Sequence, residues 1–428
     1  MTRLPHQRSA AARAAGAALF AVTGISVSLV GPAPATAAVR AEPVGLPVTA
    51  DAVRDDQWQL DEFDAKAAWR VSTGRGVTVA VVDSGVDGTH PDLAGQVLSG
   101  IDLVDRPGNG QTDPVGHGTT VAGLIAGRSD DRKGVVGLAL RARILPVRVL
   151  DEENRYDDAL IVAQGVRWAV DNGAEVVNLS LGGTGDSPAL AAALDYAFAR
   201  DVVVVACTGN LGSATGKSVW YPAREPGVVA VAGMERETDA LWSGSITGRE
   251  TVLTAPATGL LGARPGGFWR VQGTSFAAPL VTASAALLRA HWPEMSAGDV
   301  VNRLINTARD VGASGRDDRF GFGVVDPVAA LNGEVSTVNR NPLDDGEAAP
   351  GVSGFGSAPG RERQAARPSS GPDRLDAVTP GTPAGWAAQP AGSQAGRSLY
   401  GFWSGGGLFI LVVAGTALMV RRFNREEH

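Results

Sequence analysis

Cysteine and histidine are scarce in this sequence. Its 428 residues include one cysteine, Cys207, and five histidines that are far apart along the chain. One thiol cannot form a disulfide within the chain, and it cannot supply the cysteine ligands of a structural zinc site. Charged residues make up only 19% of the chain and its net charge is −7. This balance argues against a general nucleic-acid-binding protein.

Apolar residues and glycine are plentiful instead. Hydrophobic residues make up 44% of the chain, which also contains 56 glycines and 25 prolines. This composition supplies enough apolar surface for a sizeable core. A wholly disordered, collagen-like or disulfide-stapled protein is therefore excluded.

The N-terminal segment has the pattern of a secretory signal peptide. Three arginines precede an uncharged stretch at residues 14–30, and Ala-Thr-Ala at residues 35–37 offers small side chains for cleavage. An uncleaved membrane anchor is the alternative, but glycines and serines interrupt the stretch and two prolines would break a helix before the Ala-Thr-Ala site. We predict a signal peptide over residues 1–37 and a short N-terminal extension over residues 38–56.

The C-terminal segment has the pattern of a membrane span. Residues 399–420 carry no charge, and at about 1.5 Å per residue such a helix spans the roughly 30 Å hydrocarbon layer. Tyr400 and Trp403 lie near one end and arginines follow the other, which is more typical of a span than of a buried core helix. We predict a transmembrane helix over residues 398–420 and a cytoplasmic tail over residues 421–428.

Residues 333–397 are rich in Pro, Gly, Ala and Ser. They contain few large apolar side chains and no sustained hydrophobic period. Such a segment cannot bury enough apolar surface to fold. We predict a disordered linker, extended in part by its prolines, between the globular part and the span.

Residues 57–332 alternate between strand-length apolar runs and helical segments. The valine-rich runs lack polar alternation, as expected for a parallel sheet covered on both faces. Helices are predicted at residues 157–172 and 188–200, the second with Ser187 before Pro188 at its start. The strand candidates are Val77–Val82, Ile144–Val149, Val176–Leu179, Val202–Ala206 and Val228–Val231. The alternation predicts an α/β fold, a doubly wound and mostly parallel sheet flanked by helices, with the functional site at the carboxyl ends of the strands.

Three motifs place chemically active side chains at junctions between elements. The sequence VAVVDSG leads a buried strand into Asp83, GHGTTVAG places His117 at the start of a helix, and GTSFAAP places Ser275 at the start of another. Each has a structural reading, since Asp often caps a turn and Ser often caps a helix. His90 and His291, the other histidines of this region, are predicted to be structural. Asp, His and Ser together form the constellation that activates a serine hydroxyl.

In chain order these motifs resemble the signatures of the subtilisin-like serine proteases. The order Asp, His, Ser is that of subtilisin. The resemblance covers residues 57–332 and includes FGFGVVD at residues 320–326, similar to the closing segment of the family. It implies a serine endopeptidase in which Ser275 attacks the scissile carbonyl, His117 transfers the proton and Asp83 orients the imidazole.

The same resemblance implies an oxyanion site and a substrate-binding segment. Asn210 matches the family's oxyanion asparagine, although an Asn after a Gly is also an ordinary turn. The sequence LSLGG at residues 179–183 resembles the segment that pairs with the substrate as an added strand and walls the first specificity pocket. The implied substrate-binding residues are Ser180, Leu181, Gly182, Thr208 and Gly209.

The order of the predicted segments resembles that of the mycosins, the membrane-anchored proteases of type VII secretion. The N-terminal extension is too short for the folded prodomain of secreted subtilisins, and the mycosin resemblance implies that it wraps the protease domain. It also implies protein or peptide substrates, a catalytic domain held outside the cell membrane, and a type VII secretion complex as a partner.

Two features depart from the pattern or leave alternatives. Mycosins generally carry disulfides, whereas Cys207 is alone; we interpret it as a small buried residue near the pocket wall and not as a reactive thiol. The acidic groups at residues 130–131 and 151–153 would suit calcium, but acidic surface turns explain them more simply. We predict no metal and no cofactor.

A second function is compatible with the sequence, in which the domain stabilises or caps a membrane secretion complex and proteolysis is secondary. An esterase or lipase is disfavoured because the Gly-x-Ser-x-Gly elbow is missing and the order of the triad differs. The preferred residue at the cleavage site depends on the loops at residues 182–187 and 217–221, whose geometry the sequence does not give.

Overall fold

The computed structural model describes residues 50–105, 108–130, 133–156, 158–211 and 217–344. The predicted signal peptide, transmembrane helix and cytoplasmic tail lie outside the described residues, as do most of the N-terminal extension and most of the linker. Across the described ranges, no helix combines the length and the apolar character needed to cross a bilayer.

In the part of the chain that the structure describes, a parallel sheet of seven strands forms the centre of the fold. Its strands are β1 (Thr78–Asp83), β2 (Ile101–Asp102), β3 (Arg143–Arg148), β4 (Val176–Leu179), β5 (Val203–Cys207), β6 (Val229–Met234) and β7 (Leu253–Pro256). They lie in the order β2-β3-β1-β4-β5-β6-β7, and every neighbouring pair is parallel. The predicted strands are confirmed, with ends shifted by at most three residues. Every residue of β4 to β7 is buried, which explains why these strands are rich in valine and alanine.

Helices cover both faces of the sheet. Those before the first strand are α1 (Ala50–Asp55), α2 (Trp58–Glu62) and α3 (Ala65–Val71). The others are α4 (His117–Ala126), α5 (Ala159–Asp171), α6 (Pro188–Ala199), α7 (Thr274–His291), α8 (Ala297–Asn306) and α9 (Pro327–Asn332). A β-hairpin, β8 (Leu260–Arg264) and β9 (Gly267–Val271), packs on α4. The long helices pack in two groups, since α4 contacts α7 whereas α5 contacts α6.

The two predicted helices are confirmed as α5 and α6. Asp158 caps α5 by accepting a hydrogen bond from the backbone N–H of Leu160. Ser187 caps α6 in the same way, and Pro188 fits the first helical position because its missing N–H would have no partner there. Helix α7, buried almost from end to end, packs against β4 to β7 and α4. It carries Ser275 into the middle of the structure.

The start of the described chain is tied to the domain by polar contacts. The side-chain amide of Gln57 donates to the backbone carbonyl of Val136 at 3.0 Å and accepts from its N–H at 2.8 Å. Asp56 forms ion pairs with Arg236 and Arg270, the latter on β9. Residues 53–57, most of which fall in the predicted extension, therefore lie against the body of the domain.

The end of the described chain differs from the predicted boundary at residue 332. Asn341 donates from Nδ2 to the carbonyl of Gly227 at 2.8 Å, and the N–H of Gly227 donates to the carbonyl of Leu343 at 2.9 Å. The backbone N–H of Val338 donates to Asp299 at 2.7 Å. The chain thus belongs to the domain as far as residue 344. Composition misplaces the boundary because backbone and amide hydrogen bonds, rather than large apolar side chains, hold this segment.

We expect Asn341→Ala to lower the free energy of unfolding by about 1–2 kcal/mol, because two hydrogen bonds worth about 1 kcal/mol each are lost. The second of these is accepted by Oδ1 from the N–H of Leu343. Chemical denaturation measures the change. Asn339→Ala is the matched control, since Asn339 lies in the same segment and is exposed. Equal stability of the two variants would contradict the extended boundary.

Candidate active site

The carboxyl end of β1 meets the first residue of α4 at a buried hydrogen bond. Nδ1 of His117 lies 2.7 Å from Oδ1 of Asp83, and both side chains are almost completely shielded from solvent. A carboxylate can only accept, so Nδ1 donates the proton. In the neutral imidazole the lone pair then lies on Nε2. The structure therefore brings together two of the three predicted triad side chains and fixes the tautomer.

Glycines around His117 allow this approach. A side-chain carbon at Gly118 would collide with the carbonyl oxygen of Gly85 and lie 3.1 Å from Cβ of Asp83. Gly116, the residue before His117, has φ of 86°, a conformation that favours glycine. The glycines of the GHG motif thus let the helix start directly against the strand that carries Asp83.

A second buried carboxylate, Asp113, joins the same two elements, and the sequence motifs did not identify it. It accepts hydrogen bonds from the hydroxyl of Ser84 at 2.8 Å, from the N–H of Gly116 at 2.7 Å, and from the N–H and hydroxyl of Thr119 at 2.8 Å and 2.6 Å. Burial raises the pKa of Asp113, and the hydrogen bonds from Thr119 and Gly116 offset part of the rise. Its place four residues before His117, where a carboxylate reaches the unpaired N–H groups of a helix start, is the signal that could have found it.

Ser84 connects the two carboxylates. Its backbone N–H donates to Oδ1 of Asp83 at 2.7 Å, while its hydroxyl bonds Asp113 and accepts from the N–H of Gly118 at 3.1 Å. The strand end and the helix start are therefore linked by a continuous set of buried hydrogen bonds. This set fixes the imidazole relative to the carboxylate.

The backbone carbonyl of Ser275 accepts its hydrogen bond from a side-chain hydroxyl instead of from a backbone N–H of its own helix. An α-helix normally satisfies each carbonyl with the N–H four residues later, but Pro279 has no N–H to give to Ser275. The hydroxyl of Ser180 takes its place and donates to the carbonyl of Ser275 at 2.7 Å. Ser180 in turn accepts from Asn178 at 2.9 Å. The side chain of Ser180, predicted to bind substrate, is therefore fully buried beneath Ser275.

The side chain of Ser275 is directed to Cys207 and not to His117. Its hydroxyl contacts Sγ of Cys207 at 3.8 Å. Within the described ranges, Nε2 of His117 has no hydrogen-bond partner, so the expected bond between Ser275 and His117 is not formed. Catalytic hydrogen bonds of this kind are often long or absent before a substrate binds.

Asn210 lies beside Ser275, and hydrogen bonds from Thr274 fix the orientation of its side-chain amide. Its Oδ1 accepts from the backbone N–H of Thr274 at 3.0 Å and from the Thr274 hydroxyl at 2.9 Å. Because a backbone N–H can only donate, the oxygen must face Thr274, which fixes the side of the amide on which Nδ2 lies. The other lining residues, Leu181, Gly182, Thr208 and Gly209, follow the neighbouring strands β4 and β5.

Cys207 lies at the end of β5, which confirms the prediction that it is a small buried residue. Burial raises the pKa of its thiol to about 11. Three of the acidic residues that would suit calcium form ion pairs with arginines: Asp130 with Arg128, and Asp151 and Glu153 with Arg155. Asp131 lies outside the described residues. Where the structure is described, no cluster of three His, Cys, Asp or Glu side chains is arranged to hold a metal.

We expect Ser180→Ala to lower the free energy of unfolding by about 1–3 kcal/mol, because the buried carbonyl of Ser275 loses its donor. In a Pro279→Ala background the helix supplies a backbone N–H to that carbonyl, so the same substitution should cost less. A double-mutant cycle by chemical denaturation measures the difference.

Ser284→Ala is the control for that cycle. Its hydroxyl donates to the carbonyl of Leu280 in the same helix, so its cost should be equal in both backgrounds. Strictly additive effects of Ser180→Ala and Pro279→Ala on the free energy of unfolding would contradict the claim that the Ser180 hydroxyl replaces the N–H missing at Pro279.

We also expect Cys207 to resist alkylation in the folded protein. At pH 8 a thiol with a pKa of about 11 is thiolate in a fraction on the order of 10⁻³, and this one is buried as well. Iodoacetamide followed by intact-mass measurement should show modification only after unfolding in guanidinium chloride. Stoichiometric modification of the native protein within minutes would contradict the buried, neutral thiol.

Comparison with known proteins agrees with this geometry. The family description that matches residues 74–323 is the subtilase family of peptidases, Peptidase_S8. Fervidolysin of Fervidobacterium pennivorans is 36% identical over 66% of this chain, and the match spans 44% of its own length. The chain therefore covers less than half of that relative.

A smaller relative and a solved structure match over most of their length. Thermitase of Thermoactinomyces vulgaris is 36% identical over 60% of this chain and 90% of its own sequence. The structure of MycP3 protease from the type VII (ESX-3) secretion system is 31% identical, with a TM-score of 0.58, over 64% of this chain and 88% of that one. With a family match that covers more than half of its residues, the chain belongs to the subtilase family.

Proposed function

We propose that this protein is a serine endopeptidase that acts on proteins or peptides outside the cytoplasmic membrane. The observation that carries the proposal is the buried hydrogen bond between Asp83 and His117, beside the helix start that bears Ser275. The imidazole lies 5.2 Å from the ring of Phe276, the residue that follows Ser275. The hydrogen bond leaves Nε2 of His117 unprotonated and without a partner in the described structure. A base with a free lone pair next to a serine hydroxyl is the arrangement that nucleophilic catalysis requires.

The reaction follows from this geometry. Nε2 of His117 takes the proton of the Ser275 hydroxyl as Oγ bonds to the scissile carbonyl carbon. Asp83 stays ionised and stabilises the imidazolium that forms. His117 then returns the proton to the leaving amine as the C–N bond breaks, and a water molecule hydrolyses the acyl-enzyme in the same two steps.

Asn210 is proposed to stabilise the oxyanion of the tetrahedral intermediate. Its Oδ1 is occupied by Thr274, so the amide reaches the active site through its NH₂ group. The N–H of Ser275, at the second position of α7, belongs to the first turn, where helices leave N–H groups without an intrahelical acceptor. Loss of one such donor costs about 10²- to 10³-fold in kcat, a magnitude known from subtilisin.

Export, anchoring and assembly complete the proposal. The signal-peptide pattern at residues 1–37 and the uncharged stretch at residues 399–420 support a catalytic domain held at the outer face of the cell membrane. The similarity to a protease of a type VII secretion system supports association with such a system. The acidic net charge and the linker are compatible with this placement.

We expect a fluorophosphonate probe to label Ser275 of the folded protein and Ser275→Ala to abolish labelling. Peptide hydrolysis should fall by about 10⁶-fold, the effect of removing the nucleophile in subtilisin. Ser284→Ala, a buried serine of the same helix, should keep both activities. The proposal fails if the native protein is not labelled, or if Ser275→Ala hydrolyses peptides at an undiminished rate.

A further inference from the structure

Residues 179–183, implied to wall the first specificity pocket, and residues 207–209, which include the implied substrate-binding residues Thr208 and Gly209, lie side by side next to Ser275. They are taken as the two walls of the pocket. One follows β4 and the other follows β5, and these strands are neighbours in the sheet. Ser180 of the first segment bonds the carbonyl of Ser275, and the N–H of Gly209 in the second donates to the Thr274 hydroxyl at 3.2 Å. The side chain that precedes the scissile bond, called the P1 side chain, would enter between these walls.

The indole of Trp220 lies between the same two walls. A side-chain carbon at Gly209 would lie 2.5 Å from Cε2 and 2.6 Å from Cγ of Trp220. One at Gly182 would lie 3.1 Å from Cβ and 3.4 Å from Cε3 of the same residue. Both glycines therefore face Trp220 on the side where another residue would carry its side chain. Their missing side chains make the space that the indole fills.

Trp220 is fixed in this position. It is 1% exposed, and its backbone N–H donates to the carbonyl of Thr208 at 2.9 Å. The backbone of the next residue, Tyr221, pairs with Gly183, just beyond the first wall, through bonds of 2.7 Å and 2.9 Å. An incoming side chain of similar size would have to displace a close-packed ring. The backbone of residues 220–221, which carries that ring, is hydrogen-bonded to both segments.

Packing, not hydrogen bonding, holds the ring. Nε1 of Trp220 is buried and has no acceptor among the described residues. Buried indoles usually find an acceptor for this N–H, so the position of the ring is set by the shape of the two glycine walls. Because Nε1 is bonded to Cε2, the unpaired donor lies at the Gly209 wall.

The walls also carry no charge. Ser180, Leu181 and Gly182 on one side face Cys207, Thr208 and Gly209 on the other. A charged P1 side chain would lose its hydration here without gaining a counter-ion. Size and charge thus both limit what the pocket accepts.

We propose that Trp220 occupies the first specificity pocket and restricts cleavage to peptide bonds that follow small residues, namely Gly, Ala or Ser. The inference rests on the proposed endopeptidase function and adds its substrate class. Trp220 is then a specificity-determining residue that excludes large P1 side chains and leaves the catalytic groups untouched.

The test is a series of peptides that differ only at P1, with Ala, Ser, Leu and Phe in that position. Wild-type kcat/KM should be at least about 100-fold higher for Ala than for Phe, since small differences in fit already discriminate by 10- to 200-fold. Trp220→Ala should raise kcat/KM for Leu and Phe by at least tenfold and leave that for Ala the same or lower.

Two further variants keep the test interpretable. Trp220→Phe retains an aromatic ring, so it covers the case in which Trp220→Ala does not fold. It should raise kcat/KM for the Leu peptide relative to the Ala peptide, by less than Trp220→Ala does. Trp168→Phe is the matched control on α5, away from the pocket walls, and it should keep the wild-type P1 preference.

The outcomes separate the two proposals. If the fluorophosphonate probe labels Ser275 but wild-type enzyme cleaves after Phe or Leu as fast as after Ala, the pocket is open and the inference is wrong while the endopeptidase proposal stands. An unchanged P1 preference in both Trp220 variants also overturns the inference. If the folded protein reacts with neither probe nor any peptide, the endopeptidase proposal fails and the inference fails with it.

Discussion

The hydrogen bond between Asp83 and His117 is the contact on which the rest of the site depends. It requires a strand end and a helix start that lie close enough, in a buried place, for Nδ1 of His117 to come within 2.7 Å of Oδ1 of Asp83. The parallel sheet supplies the strand end, and the glycine before and after the histidine lets the helix begin there. Asp113, through Ser84, ties both ends together. The imidazole is thereby fixed before any substrate arrives.

Ser275 reaches the same place by a separate route. Helix α7 is buried through the centre of the fold and packs on α4, and the two helix starts meet where the rings of His117 and Phe276 lie 5.2 Å apart. The proline four residues later withdraws a helical donor, and a side chain from the neighbouring segment replaces it. Access is then limited by Trp220, which packs against the glycines of both walls. The nucleophile, the proton-transferring pair and the residue that selects the substrate thus come from different parts of the chain, which meet at one edge of the sheet.

Some of this arrangement could be predicted from the sequence and some could not. Strand β4 and the cap of α6 were predictable because valine runs and a Ser-Pro start act locally. The helix-start position of Asp113 was a local signal, but its bond to Ser84, 29 residues away, was not predictable. The role of Trp220 was not predictable either, because it depends on how Gly182 and Gly209, at the ends of two different strands, pack against its ring. The hairpin at β8 and β9 and the bonded segment after residue 332 lack the hydrophobic periodicity on which prediction relies.

The central claim is that Asp83 holds His117 in the tautomer that leaves Nε2 free to act as the base. Nitrogen-15 NMR of the histidine-labelled protein tests it most directly, with the His117 signals assigned by their loss in His117→Ala. For the neutral imidazole, the account predicts a protonated Nδ1 and an unprotonated Nε2, and a redistribution of the proton in Asp83→Asn. A neutral His117 protonated at Nε2 in the wild-type protein, or a tautomer unchanged in Asp83→Asn, would contradict it.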